Sequence, residues 1–240
     1  MTQRLGRADL HIHTLASDGT AGVTEILEHV ERNTELDVIA ITDHERIDAA
    51  LAARSMARDR GLRFEVVVGE EVTTLGGHLL ALWIEEPIKP FRSLRSTIAA
   101  IHDRGGIAIP AHPLVPYPLC ASGRTIKRLL RDEDARFHPD GMEAFNPTTA
   151  RMVWSKKAPD FAAETGLAAL ANSDAHRAAD VGTAFTIFPG RTADDVRNAI
   201  LDRTTDWEGS AYTWRAQVQT FGAQMAKRGR YVRNVLVGQK

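Results

Sequence analysis

Ala8-Asp9-Leu10-His11-Ile12-His13, with Ser17-Asp18-Gly19 shortly after, is the stretch on which the fold turns. Residues 8–13 predict a short strand. Its two histidines, two positions apart, point the same way and lie about 6–7 Å apart along it. Both imidazoles can then reach one ion at ~2.0–2.1 Å.

Outward from this strand the chain alternates strands and helices. Val23–Asn33 carries Val23, Ile26, Leu27 and Val30 on one helical face. Asp37–Thr42 is a buried strand, and Asp48–Arg60 an alanine-rich helix stopped at Gly61. Phe64–Val72 and His78–Ile84 flank Gly76–Gly77 and predict a hairpin. Leu94–Arg104 reads as a helix and Ile107–Ala111 as a strand ended by Pro113. Strands at Gly141–Phe145 and Leu167–Ala171 bracket a helix around Met152–Thr165; a late strand at Phe185–Phe188 precedes a helix at Thr192–Ile200, with Thr192 as cap. The irregular stretch Leu114–Pro139, with a short helix at Ile126–Arg131, has the length of a lid or binding loop. Repeated strand–helix units predict a mostly parallel sheet closing into a barrel or distorted barrel, with a doubly wound open sheet as the alternative.

In a parallel barrel all C-terminal strand ends lie on one face. His11, His13, His44, His112 and His176 fall at such ends, His78 opens the hairpin return beside Glu71, and Asp18, Asp43, Glu70 and Asp174 accompany them. Asp174 and His176 repeat the i, i+2 spacing of His11 and His13. Composition narrows the chemistry. The 240 residues include one cysteine, Cys120, which excludes an intramolecular disulfide and cysteine-cluster metal sites. A metal here must be held by His, Asp and Glu, ligands that accept zinc, iron or manganese. No apolar run approaches the ~20 residues of a membrane span, so the expected location is cytoplasmic, with no membrane partner. Net charge is −1, but residues 209–240 hold Arg215, Lys227, Arg228, Arg230, Arg233 and Lys240 and no acid, leaving −7 for residues 1–208.

These motifs resemble the polymerase-and-histidinol-phosphatase (PHP) family of metal-dependent phosphoesterases. The matching elements are Asp9-Leu10-His11-Ile12-His13 with Ser17-Asp18-Gly19, Ile41-Thr42-Asp43-His44, Gly69-Glu70-Glu71 with His78, Ala111-His112-Pro113, and Ser173-Asp174-Ala175-His176. The resemblance implies a distorted (β/α)7 barrel over residues 1–208, followed by a basic helical tail over 209–240. It also implies two to three divalent metal ions. His11, His13, Glu71 and Asp174 would hold one, and Glu71, His78 and His112 a second, with Glu71 bridging. Asp18, His44 and His176 would hold the third. Three dications with Asp18, Glu71, Asp174 and one hydroxide leave a charge of about +2, which suits a dianionic phosphate group. The implied reaction is attack on a phosphate ester by a metal-bridging hydroxide held by Glu71, Asp174 and His13.

The expected substrate is a small nucleotide, such as a 3′,5′-bisphosphate, or an oligonucleotide. Histidinol phosphate is the rival substrate, and a metal-binding regulatory module without turnover the rival class. Arg177, Arg124 and Arg46, in that order, are candidates to grip phosphate. His29, His102 and His138 read as structural or exposed. Glu70 should point away from Glu71 on the strand. Asp43 should orient a ligand imidazole or cap the following turn. In the tail, Trp214, Val218, Phe221 and Met225 fall at helical spacing. Such a stripe predicts docking on the barrel or a partner, self-association included.

Overall fold

The computed structural model describes residues 4–213. The predicted tail helix, with its stripe from Trp214 to Met225, lies outside the described residues. Nine strands and six α-helices follow in the order β1 (Leu5–Asp9), α1 (Val23–Asn33), β2 (Val38–Ile41), α2 (Asp48–Asp59), β3 (Glu65–Thr74), β4 (Gly77–Leu82), α3 (Leu94–His102), β5 (Ile107–Pro110), α4 (Gly123–Leu129), β6 (Gly141–Phe145), α5 (Ala158–Thr165), β7 (Ala168–Ala171), β8 (Ala184–Pro189), α6 (Ala193–Leu201) and β9 (Asp206–Gly209).

Seven strands form a curled sheet in the order β5-β4-β3-β2-β1-β8-β9, and β6 and β7 pair separately. β1, β2 and β3 run parallel, whereas β4 and β5 return antiparallel, the first through the predicted hairpin. β8 pairs antiparallel with the other side of β1. The β6–β7 pair fills the gap between β5 and β8 with few ladder bonds. At one seam Asp140 N–H donates to the Ala108 carbonyl (3.0 Å), while Ala108 N–H donates to the Asp140 carboxylate (2.8 Å). At the other the Thr186 hydroxyl bonds both main-chain groups of Ala171. The result is the distorted barrel expected from the sequence, but not the mostly parallel sheet: β4, β5, β8 and β9 all join it through antiparallel pairs.

Strand alternation divides the core in two. Val38 and Ala40 face inward with Leu10, Val67, Leu80, Ile109, Leu170 and Phe188, and Val196 and Ile200 of α6 join that cluster. Ile39 and Ile41 face outward onto Ile26, Leu27 and Val30 of α1 and Ala50 and Ala53 of α2. Each such fully buried Leu, Ile or Phe contributes about 1.5–3 kcal/mol. α6 is fastened by a capping box in which the Thr192 side chain accepts from Asp195 N–H and the Asp195 carboxylate accepts from Thr192 N–H.

Three further expectations need correction. β1 stops at Asp9 rather than His13. Beyond it, side chains take over part of the ladder: Asn172 Oδ1 accepts from Leu10 N–H (2.9 Å) and Thr42 Oγ1 from Ile12 N–H (3.1 Å). The helix drawn from Met152 starts at Ala158, where Pro159 is tolerated in the first turn. The boundary drawn at residue 208 cuts β9, a strand absent from the sequence reading. Past it Tyr212 is buried, and its hydroxyl donates to the Ser173 carbonyl (2.6 Å). No helix among the described residues is long and apolar enough to cross a membrane.

Candidate metal centre

The segments beyond β1 and β7 lie side by side. His13 N–H donates to the Ala175 carbonyl (2.9 Å) and Ala175 N–H to that of His11 (3.3 Å). This brings the two i, i+2 pairs, His11/His13 and Asp174/His176, against each other. A second parallel bridge sets His44 beside Glu71. Three residues here hold positive φ without being glycine: Glu45 (55°), His112 (32°) and Asp174 (52°). Such backbone costs of order 1–3 kcal/mol each and persists where surrounding contacts over-determine it.

The side chains converge in three groups. His11 Nε2 and His13 Nε2 lie 3.0 Å apart, and each lies 3.4 Å from Glu71 Oε2. Asp174 Oδ1 completes the group at 3.5 and 3.4 Å from the two nitrogens. Ligands at ~2.0–2.1 Å in a tetrahedron stand about 3.4 Å from one another. The other Glu71 oxygen, Oε1, faces His78 Nδ1 (2.8 Å) and His112 Nε2 (3.1 Å). Glu71 therefore spans two groups. In the third, Asp18 Oδ2 faces His176 Nε2 (3.2 Å) and His44 Nε2 (3.7 Å), and Asp18 Oδ1 lies 3.6 Å from His13 Nδ1. His44 Nδ1 also reaches Glu71 Oε2 at 3.3 Å.

These donor sets fit divalent cations. The Nδ1 atoms of His13, His44 and His78 are buried without a hydrogen-bond partner, although carboxylate oxygens stand nearby. Buried polar atoms are normally hydrogen-bonded, and nitrogen lone pairs aimed at carboxylates across an open centre are what a cation satisfies. The electrostatics agree. Burial disfavours charge on Glu71, yet His78, His44 and His11 hold its carboxyl well below the usual carboxylate range. Burial likewise opposes charge on His44, but Glu71 and Asp18 raise it to about 9. The cluster demands positive charge in a space withdrawn from water.

A second layer holds the first. The buried Glu143 carboxylate accepts from His11 Nδ1–H (2.9 Å) and Asn172 Nδ2–H (3.0 Å) through Oε1, and from His112 N–H (2.6 Å) and Asn146 Nδ2–H (2.9 Å) through Oε2. Asn146 and the Thr148 hydroxyl both reach Asp174 Oδ2. The sequence reading missed Glu143. Its signal was an acid inside an otherwise apolar predicted strand, since a buried carboxylate requires partners. Asp43 touches no imidazole. It accepts from Thr14 N–H (2.8 Å), the Thr14 hydroxyl (2.7 Å) and the Ser17 hydroxyl, so it caps the loop that carries Asp18 rather than the turn that follows it. Gly19 closes that loop, because a Cβ there would stand 2.6 Å from the His13 carbonyl carbon. Glu70 points away from Glu71 and accepts from Ile88 N–H.

The three arginines differ. Arg177 makes a bidentate ion pair with Asp180 (2.7 and 2.6 Å). Arg46 does the same with Asp48 (2.6 and 2.7 Å) and donates to the Ala16 carbonyl. Arg124 is exposed near the start of α4, four residues past Cys120, with no carboxylate partner among the described residues. His29, His102 and His138 stand outside the cluster. His102 bonds Asp140 and the Arg136 carbonyl, and His138 the Asp132 carbonyl.

Residues 154–205, which contain Asp174 and His176, match the family model described as PHP-associated. The uncharacterized protein MJ1587 of Methanocaldococcus jannaschii is 32% identical over 151 residues, 58% of this chain and 81% of that protein. The 5′-3′ exoribonuclease Rnm of Salmonella typhimurium is 39% identical over 67 residues, only 28% of this chain and 22% of that one. Among solved structures, a two-domain Bacteroides vulgatus protein containing a predicted PHP-like metal-dependent phosphoesterase superposes with a TM-score of 0.70 at 17% identity, over 92% of this chain and 70% of that one. With the motifs, the barrel and these likenesses in agreement, the chain belongs to the PHP family.

Proposed function

We propose that this chain is a metal-dependent phosphoesterase acting on a small nucleotide, such as a 3′,5′-bisphosphate, or on an oligonucleotide end. The observation that carries the reading is the pair of donor groups on the two oxygens of Glu71: His11, His13 and Asp174 about Oε2, His78 and His112 about Oε1. Asp18, His44 and His176 make the third set. Divalent ions held there would lower the pKa of water and polarise phosphoryl oxygens, which is what hydrolysis of a phosphate ester needs.

The chain's own residues do the rest. Glu143 fixes the His11 ring so that Nε2 faces Glu71 and Asp174. Asn146 and Thr148 fix Asp174 so that Oδ1 stays with the histidines. Asp43 sets the loop that presents Asp18. Of the three candidate arginines, Arg124 is the one with no carboxylate partner among the described residues, so it would take a phosphate without first breaking an ion pair. Tyr117 and Trp154, both more than half exposed, follow β5 and β6 on the same end of the barrel as the cluster. Exposed aromatic rings beside a phosphate-seeking centre suit nucleobases, because every base has a face to stack. The partial likeness to the exoribonuclease Rnm supports the same substrate class.

The test is phosphate or nucleotide release from a panel of phosphomonoesters, 3′,5′-bisphosphates, short oligonucleotides and histidinol phosphate, with the protein loaded with zinc(II), manganese(II) or iron(II). Turnover of nucleotide substrates above the rest is the expected result. Preference for histidinol phosphate would overturn the substrate, and no release from any member would turn the reading to a binding module.

A further inference from the structure

We propose that Cys120 is a positioning residue for His112, and that the loop 114–121 steadies both histidines that face Glu71 Oε1, one through its ring and one through its main chain. The inference rests on the metal-centre reading above.

His112 presents Nε2 to Glu71 Oε1, so its Nδ1 looks away from the cluster, and there it meets Cys120 Sγ at 3.3 Å. An imidazole that gives one nitrogen to a cation keeps its proton on the other, and the partner of that N–H fixes the ring. Two neighbouring rings are held in this way by oxygen: His11 by the Glu143 carboxylate and His176 by the Asp174 main-chain carbonyl, both at 2.9 Å. For His112 the acceptor is sulfur, which accepts more weakly.

The same loop reaches the main chain of the other histidine. The Leu119 carbonyl accepts from His78 N–H at 2.9 Å. Leu114 N–H to the Ala121 carbonyl (2.9 Å) and Cys120 N–H to the Tyr117 carbonyl (3.0 Å) hold the loop together. It lies this close to β4 because residue 77 is glycine. At φ 124°, a Cβ there would stand 2.8 Å from the Cys120 carbonyl carbon. His112 itself sits at φ 32°. Backbone of that kind persists only where surrounding contacts hold it, and here they are Glu143 on the His112 main-chain N–H and Cys120 on its ring. Cys120 is partly buried and is the single cysteine of the chain, so a thiol reagent addresses it alone.

The experiment titrates metal-free wild type, C120A and C120S with zinc(II) against a chromophoric chelator, and records cobalt(II) spectra and the melting of each metal-free protein. The expected result is a loss of about tenfold or more in affinity for one metal equivalent in C120A. C120S, whose hydroxyl still accepts, should recover most of it, and the metal-free proteins should melt together. A second arm needs no variant to fold. Methyl methanethiosulfonate converts the thiol to the mixed disulfide Cys120–S–S–CH3 with release of methanesulfinic acid. The modified wild type should let go the same equivalent, and dithiothreitol should restore it. Unchanged binding of every equivalent in C120A, or in fully modified wild type, would overturn the proposal. So would equal losses in C120S and C120A with a lowered metal-free melting point, which is the mark of packing alone. Wild type that binds no zinc(II) or cobalt(II) would instead overturn the metal-centre reading, and this one with it.

Discussion

At one end of the barrel α6 sets Val196, Ala199 and Ile200 into the inner apolar cluster, with its own first turn closed by the Thr192–Asp195 capping box. At the other end, nitrogen atoms without hydrogen bonds, carboxylates crowded within 4 Å of imidazoles and residues at positive φ share one space. The first end is apolar and capped, with Trp83, at φ 55° and with its indole nitrogen unbonded, as its main irregularity, and it stabilises the fold. The second breaks several local rules at once, and does so where candidate ligands from six strands and the loops after them meet. Stability and chemistry are therefore held by separate sets of residues, joined through the strands between them.

That separation can be broken most directly at Asp174. Asp174→Ala should lower turnover on the order of 10³-fold by removing one cation ligand. Because the carboxylate is buried among polar groups that lose little without it, thermal unfolding of the metal-free protein should stay near wild type. A collapse of the fold would show that the cluster also carries stability. Ile200→Ala is the mirror test. A fully buried side chain removed from the closed end should cost about 2–5 kcal/mol in denaturant unfolding. Metal content and kcat/KM of the folded fraction should be unchanged.

Glu143 sharpens the comparison because it lies between the two ends. Glu143→Gln replaces an oxygen that accepts two N–H groups with an amide that must donate. Metal affinity should fall roughly 10–100-fold, read by chelator competition, while Glu71, His13 and Asp174 remain in place. The smallest expected effect comes from Glu70, the neighbour of Glu71 that faces the other way. Burial raises its carboxyl from 4.5 to about 7. Between these values the folded protein keeps a proton that the unfolded chain has lost, so the stability is fully present below pH 4.5 and is lost as pH rises through 7. Glu70→Gln should therefore change little at pH 4.5 and stabilise by roughly 2 kcal/mol at pH 8, measured by urea unfolding. Equal effects at both pH values would refute the buried-carboxyl account.

Much of this was legible in the sequence. Helices α1, α2 and α6, the β3–β4 hairpin and the short strands follow from periodicity, caps and glycines, all set by residues within a few positions of each other. The spacing of His11 and His13, and of Asp174 and His176, pointed to paired candidate ligands for the same reason. What escaped the reading is long in sequence separation. Glu143 meets His11 across 132 residues, and Asn172 meets Leu10 across 162. No local pattern encodes such a pair, and only the acid inside an apolar strand hinted that a partner must exist.

The arginines show the same limit. Adjacency to His176 favoured Arg177, but the structure pairs it with Asp180 and gives Arg124 no carboxylate partner among the described residues. The seams of the barrel, the early end of β1 and the strand β9 are likewise settings of one segment against another. The amino-acid sequence by itself determined the elements and the ligand types, because backbone propensity and side-chain chemistry are properties of the residue and its near neighbours. Only the tertiary structure decided which oxygen of Glu71 serves which histidines and which acceptor steadies each ring, because those follow from where the closing of the barrel brings distant atoms together.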